Sequence, residues 1–301
     1  MAKVVTMLNK MNDNMRGAGL MMVSMAAFTF NDVCMKALAG EVPLFQVVFV
    51  RGVLTTLFMF IAGRALGVIR FTLPRRDLGL IALRTMAEIG ATGFFLTALF
   101  HMPIANMTAI LQALPLTVAL AAALFLGEPL GRKRVLAILV GLVGVMLIVR
   151  PGTEGFNTYS IYALVAVGFV TIRDLSSRRL STQVPSFTVA LIGAISVTTT
   201  FGLASTTGEW VAISLRSGGL IVMASLFIIG GYLASVMVMR VGEIGFTAPF
   251  RYTGLIWALV LGFLVFGDWP DGLTLLGAGI VVATGLFTLY RERRARLRVK
   301  P

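Results

Sequence analysis

Asp32, Arg51, Arg84, Glu88, Arg173, Asp174 and Arg251 all stand within or at the end of apolar runs of bilayer length. A charge at the centre of a spanning helix costs about 2.5–3.5 kcal/mol on insertion scales. Left unsupported, the four arginines together would cost on the order of 10 kcal/mol, as much as the whole stability of an ordinary domain. They must pair with acids, line a wet cavity, or reach back to the interface along their apolar stems. The first two arrangements give chemistry. A guanidinium holds a carboxylate or phosphate through parallel hydrogen bonds, and a carboxylate at membrane depth takes a cation or a proton.

Arg84 and Glu88 are four residues apart on one helical face, where they can pair. The matching positions in the second half, Ala224 and Ile228, carry no charge. Glu88 falls near the middle of its run and is a proton-coupling candidate; the other reading is a fixed ion pair with Arg84 or Arg51. Arg51 fits a structural charge that ties helices together through carbonyls or Asp32, and it also fits a substrate contact. Asn31-Asp32 and Arg173-Asp174 close two short apolar runs, 17–30 and 159–172. Short hydrophobic segments at matched places in two halves point to a transporter's site. The plainer reading puts the same pairs near the membrane surface.

Thr108 and Gln112 share a helical face, as do Ala248 and Tyr252. Pro115 and Pro249 each remove a backbone donor and permit a bend beside a cavity. Arg251 lies near the end of its run, where snorkelling competes with substrate binding. Trp257 is deeper, as cavity wall or as lipid-facing packing. Arg84, Arg173 and Arg251 suit carboxylate or phosphate groups of a ligand, and Phe28, Phe30, Tyr252 and Trp257 suit a ring.

The elements that position these residues are helices in lipid. The chain is 57% hydrophobic and 13% charged, more apolar than a soluble domain of this length can bury. Ten apolar segments fill it: 17–36, 44–63, 79–100, 104–126, 134–149, 159–172, 186–206, 218–239, 246–266 and 273–290. If they alternate across the bilayer, one side collects Lys3, Lys10, Arg16, Arg64, Arg70, Arg75, Arg76, Arg132, Lys133, Arg134, Arg178, Arg179, Arg240 and the tail bases from Arg291 to Lys300. The other side receives Lys36, Arg150 and Arg216. This bias places both termini in the cytoplasm. The net charge of +13 is thus topological, and the tail suits anionic lipid headgroups rather than a nucleic acid. A lone Cys34 and a lone His101 rule out an intrachain disulfide and a thiolate metal cluster. No metal or cofactor is expected, and without a GxxxxGK[ST] motif any ATP drive needs a partner.

The segments repeat. Residues 104–129 and 244–270 each run about twenty apolar residues, enough for roughly 30 Å of hydrocarbon, and close on Gly127-Glu128-Pro129 and Gly267-Asp268-Trp269-Pro270. Val42-Pro43-Leu44-Phe45 is echoed by Val184-Pro185-Ser186-Phe187, Asp32 by Asp174, Gly144 by Gly285 and Arg150 by Arg291, at an offset of about 140 residues. Five segments per copy is an odd number, so the second copy enters the membrane inverted. The loop charges agree: Arg132-Lys133-Arg134 in the first copy is Pro270-Asp271-Gly272 in the second.

Two inverted five-span halves, each with a Gly-acid pair closing its fourth span, resemble the EamA branch of the drug/metabolite transporter superfamily over residues 16–291. The resemblance implies an all-α polytopic fold of ten transmembrane helices around a central cavity, lined by spans one, three, four, six, eight and nine. It divides the chain into a cytoplasmic lead (1–16), a first repeat (17–150), an inverted second repeat (151–291) and a basic tail (292–301). Spans five and ten, with Gly141, Gly144, Gly277, Gly279 and Gly285, are expected to serve packing or a homodimer. The implied function is secondary transport of a small organic metabolite in a bacterial inner membrane. Asn31-Asp32 with Lys36 is similar to members that take up vitamins such as riboflavin or nucleoside-type metabolites. Export of amino acids or related metabolites is the alternative. A channel or a membrane-embedded enzyme is the alternative of another class, although scattered Asp32, Glu88 and Asp174 form no nucleophile–base constellation.

Overall fold

In lipid an open chain satisfies its backbone only as helix, and the computed structural model is helical with no strand among its described residues. Those are 2–65, 67, 69, 74–128, 131–151, 157–181, 183–241 and 244–299. Arg70, Pro129 and Lys300 lie outside them, as do the side chains of Lys3, Lys10, Arg240 and the tail 292–299. The helices are α1 (Ala2–Lys36), α2 (Leu44–Ala65), α3 (Leu78–His101), α4 (Ile104–Leu111), α5 (Leu114–Leu126), α6 (Arg132–Val149), α7 (Tyr159–Arg179), α8 (Ser186–Ser205), α9 (Leu215–Val241), α10 (Ile244–Thr247), α11 (Thr253–Leu261) and α12 (Gly272–Val299).

Nine stretches of helix among the described residues are long and apolar enough to cross a membrane. The segment expected at 134–149 forms α6, but Arg132, Lys133 and Arg134 fill its first turn, and it is not one of the nine. The outer faces are apolar in the way lipid requires: Phe125 and Leu264 are each 71% exposed. The core gathers Met35, Leu96, Leu99, Ile104, Ile110 and Leu116, all essentially fully buried.

The matched Gly-acid pairs have a backbone cause. Gly127 (φ 67°) and Gly267 (φ 72°) adopt the left-handed conformation that ends a helix. The following amides reach back, Glu128 N–H to the Ala122 carbonyl (3.3 Å) and Asp268 N–H to the Gly262 carbonyl (3.1 Å). The glycine is dictated by the cap; the acid is not.

The helix breaks fall at the two prolines where bends were expected. Asn31-Asp32 and Arg173-Asp174 lie inside the continuous helices α1 and α7. The interrupted passes are the two that carry the prolines. Pro115 stands in the first turn of α5, after the α4–α5 break at Gln112-Ala113. Pro249 stands in a 3₁₀ turn, Ala248–Tyr252, between α10 and α11. Each ring removes the donor that would have continued the ladder.

Helices of the first half pack chiefly on helices of the second: α1 on α9, α3 on α7, α2 on α8 and α6 on α12, with α5 on α7 and α1 on α11 as lesser seams. Gly144 and Gly277 let α6 and α12 touch backbone to backbone; a Cβ at Gly277 would lie 2.5 Å from the Gly144 carbonyl oxygen. Gly144 and Gly277 are therefore used within the chain. The outward faces carry Leu136, Leu139 and Val143 on α6 and Leu273 and Leu276 on α12.

Polar contacts join the halves at both ends of the bundle. At one end Glu41 pairs with Arg216 and accepts from Ser217 Oγ (2.9 Å), and Gln46 bonds the Val211 backbone in both directions. Arg150 at the same end pairs with Asp271, whose carboxylate also takes the Thr274 N–H (2.8 Å) and so caps α12. That backbone bond first, and then Arg150, hold the Asp271 carboxyl below the usual carboxylate range. Within the first half, Lys36 Nζ donates to the Met102 carbonyl (2.7 Å), closing the C-terminus of α3. At the other end Asp77 accepts from Ser181 Oγ (2.6 Å), Arg179 donates to the Phe125 carbonyl (2.9 Å) and Arg178 stands 3.5 Å from Glu128.

Candidate functional site

The intramembrane charges are gathered rather than scattered. Glu88 on α3 sits between two arginines, 3.6 Å from Arg84 one turn away on its own helix and 3.2 Å from Arg173 on α7. Arg173 keeps a second partner, donating through Nε to Asp174 at 3.0 Å. Arg84 donates through Nε to Ser177 Oγ (3.1 Å). A parallel chain runs between α2 and α1: Arg51 donates to Asn31 Oδ1 (3.1 Å), and the Asn31 amide donates to Asp32 (2.9 Å). Helix α3 approaches α7 closely at Gly90, where a Cβ would meet the Phe169 ring at 2.8 Å. That closeness brings Glu88 and Arg173 within reach.

A cavity of about 100 Å³ lies beside these pairs, between α2, α3, α8 and α9. Arg51, Thr55, Arg84, Glu88, Thr92, Thr198 and Tyr232 supply its polar lining. Val48, Met59, Val197 and Ile228 supply its apolar lining. Gly193 leaves room at one wall, where a Cβ would stand 3.2 Å from Arg84 Nη1. Thr55 is 8% exposed, and its hydroxyl has no hydrogen-bond partner among the described residues. A buried hydroxyl in that condition carries a desolvation penalty, which a ligand or water in the cavity would relieve.

The sequence-predicted residues divide. Asn31, Asp32, Arg51, Arg84, Glu88, Arg173 and Asp174 are linked as described, and Arg51, Arg84 and Glu88 reach the cavity wall. Phe28 meets the ring of Tyr232 edge-on, centroids 5.6 Å apart. Thr108, Gln112, Arg251, Tyr252 and Trp257 do not line this cavity; Gln112 and Tyr252 are buried and Arg251 is exposed. The cavity thus lies among passes two, three, seven and eight: three and eight are among the passes expected, and two and seven join them because the second and seventh helices pack together as α2 on α8. Thr55, Thr92, Gly193, Thr198 and Tyr232 had no sequence signal of their own. The threonines resemble the many on these helices that bond their own preceding turn, as Thr92 does to the Glu88 carbonyl (2.8 Å).

A bundle of lipid-facing helices with its charges gathered around an internal polar cavity is the build of a membrane protein that handles small solutes. Residues 15–150 match the EamA-like transporter family. The likeness to that family is carried by the first half of the chain.

Its relatives are small-molecule transporters. The chain is 26% identical to the pseudopaline exporter CntI of Pseudomonas aeruginosa, over 92% of this chain and 97% of that one. It is 24% identical to the S-adenosylmethionine uptake transporter of Rickettsia bellii, over 95% and 98%. It is 27% identical to the riboflavin transporter of Vibrio cholerae, over 76% and 77%. Among the solved structures that match, one has a TM-score of 0.63 at 20% identity, over 92% of this chain and 98% of that chain, and supports the fold alone.

Proposed function

We propose that this chain is a secondary transporter of a small organic metabolite, built as two inverted five-span repeats that rock about the cavity by alternating access. The observation that carries the reading is a charged cavity walled by both halves, α2 and α3 on one side and α8 and α9 on the other. Polar contacts between the halves lie beyond it at each end. At about 100 Å³ it is smaller than the roughly 300–1,000 Å³ of a typical ligand pocket. Opening one set of end contacts would widen it for a substrate, as in the working cycle of a carrier.

The packing supports the repeat. Counting α4–α5 as the fourth pass and α10–α11 as the ninth, first-on-eighth matches sixth-on-third, and first-on-ninth matches sixth-on-fourth. Second-on-seventh and fifth-on-tenth map onto themselves under the same five-pass shift. The charge bias supports an inner-membrane orientation with both termini cytoplasmic. A homodimer through α6 and α12 would use their outward leucines and valines, since Gly144 and Gly277 already face each other.

For substrate, the named relatives support a vitamin such as riboflavin, a nucleoside-type metabolite or an amino-acid-related metabolite, taken up or exported as the gradient directs. The test is counterflow in proteoliposomes with labelled riboflavin, S-adenosylmethionine, a nucleoside and several amino acids. Saturable exchange of any one supports a carrier. Unsaturable flux or single-channel conductance would replace it with a channel, and no flux at all with verified folded protein would remove the carrier reading.

A further inference from the structure

On the lipid side of the bundle α2 and α8 leave a groove of about 330 Å³ between them. Its walls are Val53, Leu57 and Phe60 from α2 and Leu191, Ile195 and Thr199 from α8. Thr198 lines both this groove and the charged cavity. Its hydroxyl donates to the Ala194 carbonyl (2.7 Å) and stands 3.3 Å from the hydroxyl of Thr56. One layer of side chains therefore separates lipid from the cavity.

The groove is framed by two close approaches of its helices. A Cβ at Gly52 would lie 2.4 Å from Thr198 Oγ1, and one at Gly63 would lie 2.3 Å from the Phe187 ring. These points are about 16 Å apart along α2. Between them Val53, Leu57, Phe60 and Ile195 stand exposed as rims, and the buried Leu191 and Thr198 form the floor. An empty apolar groove forfeits the dispersion contacts of its lining, and in a bilayer the chains at hand to restore them are acyl chains.

The same face of α2 ends in a base. Val53, Leu57, Phe60 and Arg64 follow at i, i+4, i+7 and i+11. Arg64 is exposed, about 6 Å along the helix beyond Phe60, and no acid pairs with it among the described residues. Arg75 and Arg76 are exposed at the same end of the bundle, on the turn that Asp77 ties to Ser181 just ahead of α8. This excess of positive charge answers a headgroup of net negative charge. A choline headgroup, with an ammonium of its own, does not supply one.

We propose that the α2–α8 groove is a lipid site: one acyl chain of an anionic glycerophospholipid lies along it, with the phosphate at Arg64. The seated chain covers the outer side of the thin wall that Thr198 gives the cavity. The site is on the lipid-facing surface and stands whether or not the chain proves to be a carrier.

The test uses the full chain, purified in detergent and stripped of lipid. It is titrated with phosphatidylglycerol and with phosphatidylcholine of the same acyl chains, and bound lipid is counted by native mass spectrometry. Phosphatidylglycerol is expected to bind about fivefold more tightly, the worth of one base near a lipid headgroup. Arg64→Gln should bring the two lipids to parity, and Lys133→Gln, at an exposed base on α6, should not. Val53→Trp fills the groove and should weaken both lipids, while Val143→Trp on the outward face of α6 should weaken neither. Should Val53→Trp fail to fold, Thr199→Phe fills the groove from the α8 wall. Equal binding of the two lipids by the wild type overturns the proposal, as does a preference that survives Arg64→Gln or is lost equally in Lys133→Gln. Binding unmoved in the groove-filling variants overturns it too. Displacement of the lipid by glycerol phosphate alone would mean a phosphate site without a chain. A dimer that Val53→Trp splits would give the groove to a second copy. Either result overturns the lipid site.

Discussion

The contact between Glu88 and Arg173 joins α3 to α7 at membrane depth, and its strength can be measured apart from transport. The two side chains are 17% and 25% exposed and 3.2 Å apart. Truncating one partner of a fully buried pair costs about 3–5 kcal/mol, and an exposed pair contributes about 0.2–1 kcal/mol. This pair lies nearer the buried limit, but Asp174 still compensates Arg173, and the amide that Glu88→Gln introduces can accept one N–H. Glu88→Gln and Arg173→Gln should therefore each cost about 2 kcal/mol, and the double variant about 2–3 kcal/mol rather than their sum. The resulting coupling, about 1–2 kcal/mol, exceeds the roughly 0.6 kcal/mol average of interhelical hydrogen bonds measured by such cycles in a membrane protein. Wild type, both singles and the double would be unfolded reversibly from lipid micelles by detergent titration, followed by circular dichroism. Additivity within about 0.5 kcal/mol would mean that no ion pair joins the helices, and the site would have to be rebuilt without it.

Gly277→Ala should destabilise by about 1–3 kcal/mol in the same titration, because a Cβ 2.5 Å from the Gly144 carbonyl must force α6 and α12 apart; Gly279→Ala, with open space around it, is the control. Asp271→Ala should cost about 1 kcal/mol through loss of the α12 cap, and Asp271→Asn less. The Asp271 carboxyl is held low in the folded state, so its stabilisation is present above its unfolded value near 3.9 and is lost as pH falls through the folded value. Wild-type unfolding should steepen in acid below about pH 4 more than that of Asp271→Asn. Gly193→Ala should leave stability within about 0.5 kcal/mol, since Arg84 can give way at its flexible end, yet weaken half-saturation in counterflow. Unchanged half-saturation would place Arg84 outside the site.

Much of the frame was legible because lipid leaves few choices. Apolar runs became helices, Gly127 and Gly267 became left-handed caps, and Pro115 and Pro249 broke the passes they stand in. Asn31-Asp32 and Arg173-Asp174 mark where their apolar runs close, but the sequence does not show the partners that hold them within helices. Both stay helical because their partners come from other helices, Arg51 from α2 and Glu88 from α3. The i,i+4 spacing exposed Arg84–Glu88, but nothing local could expose Arg173, the nearer partner of the same carboxylate.

That difference bears on how a duplicated frame acquires a site. On the repeat reading, α3 and α9 occupy equivalent places, and the frame alone would give the cavity two similar walls. It has instead Arg84 and Glu88 on one wall and Ile228 on the other. A substrate with one polar and one apolar end is not two-fold symmetric, so a symmetric cavity would misplace one end whichever way it lay. Helix packing is indifferent to that divergence, since Ala224 is fully buried and Ile228 fills space as a methionine or leucine would. Glu88 and Arg84 are not indifferent: at membrane depth they are stable only while each holds a partner of opposite sign. That requirement keeps Glu88 between Arg84 and Arg173 in this bundle.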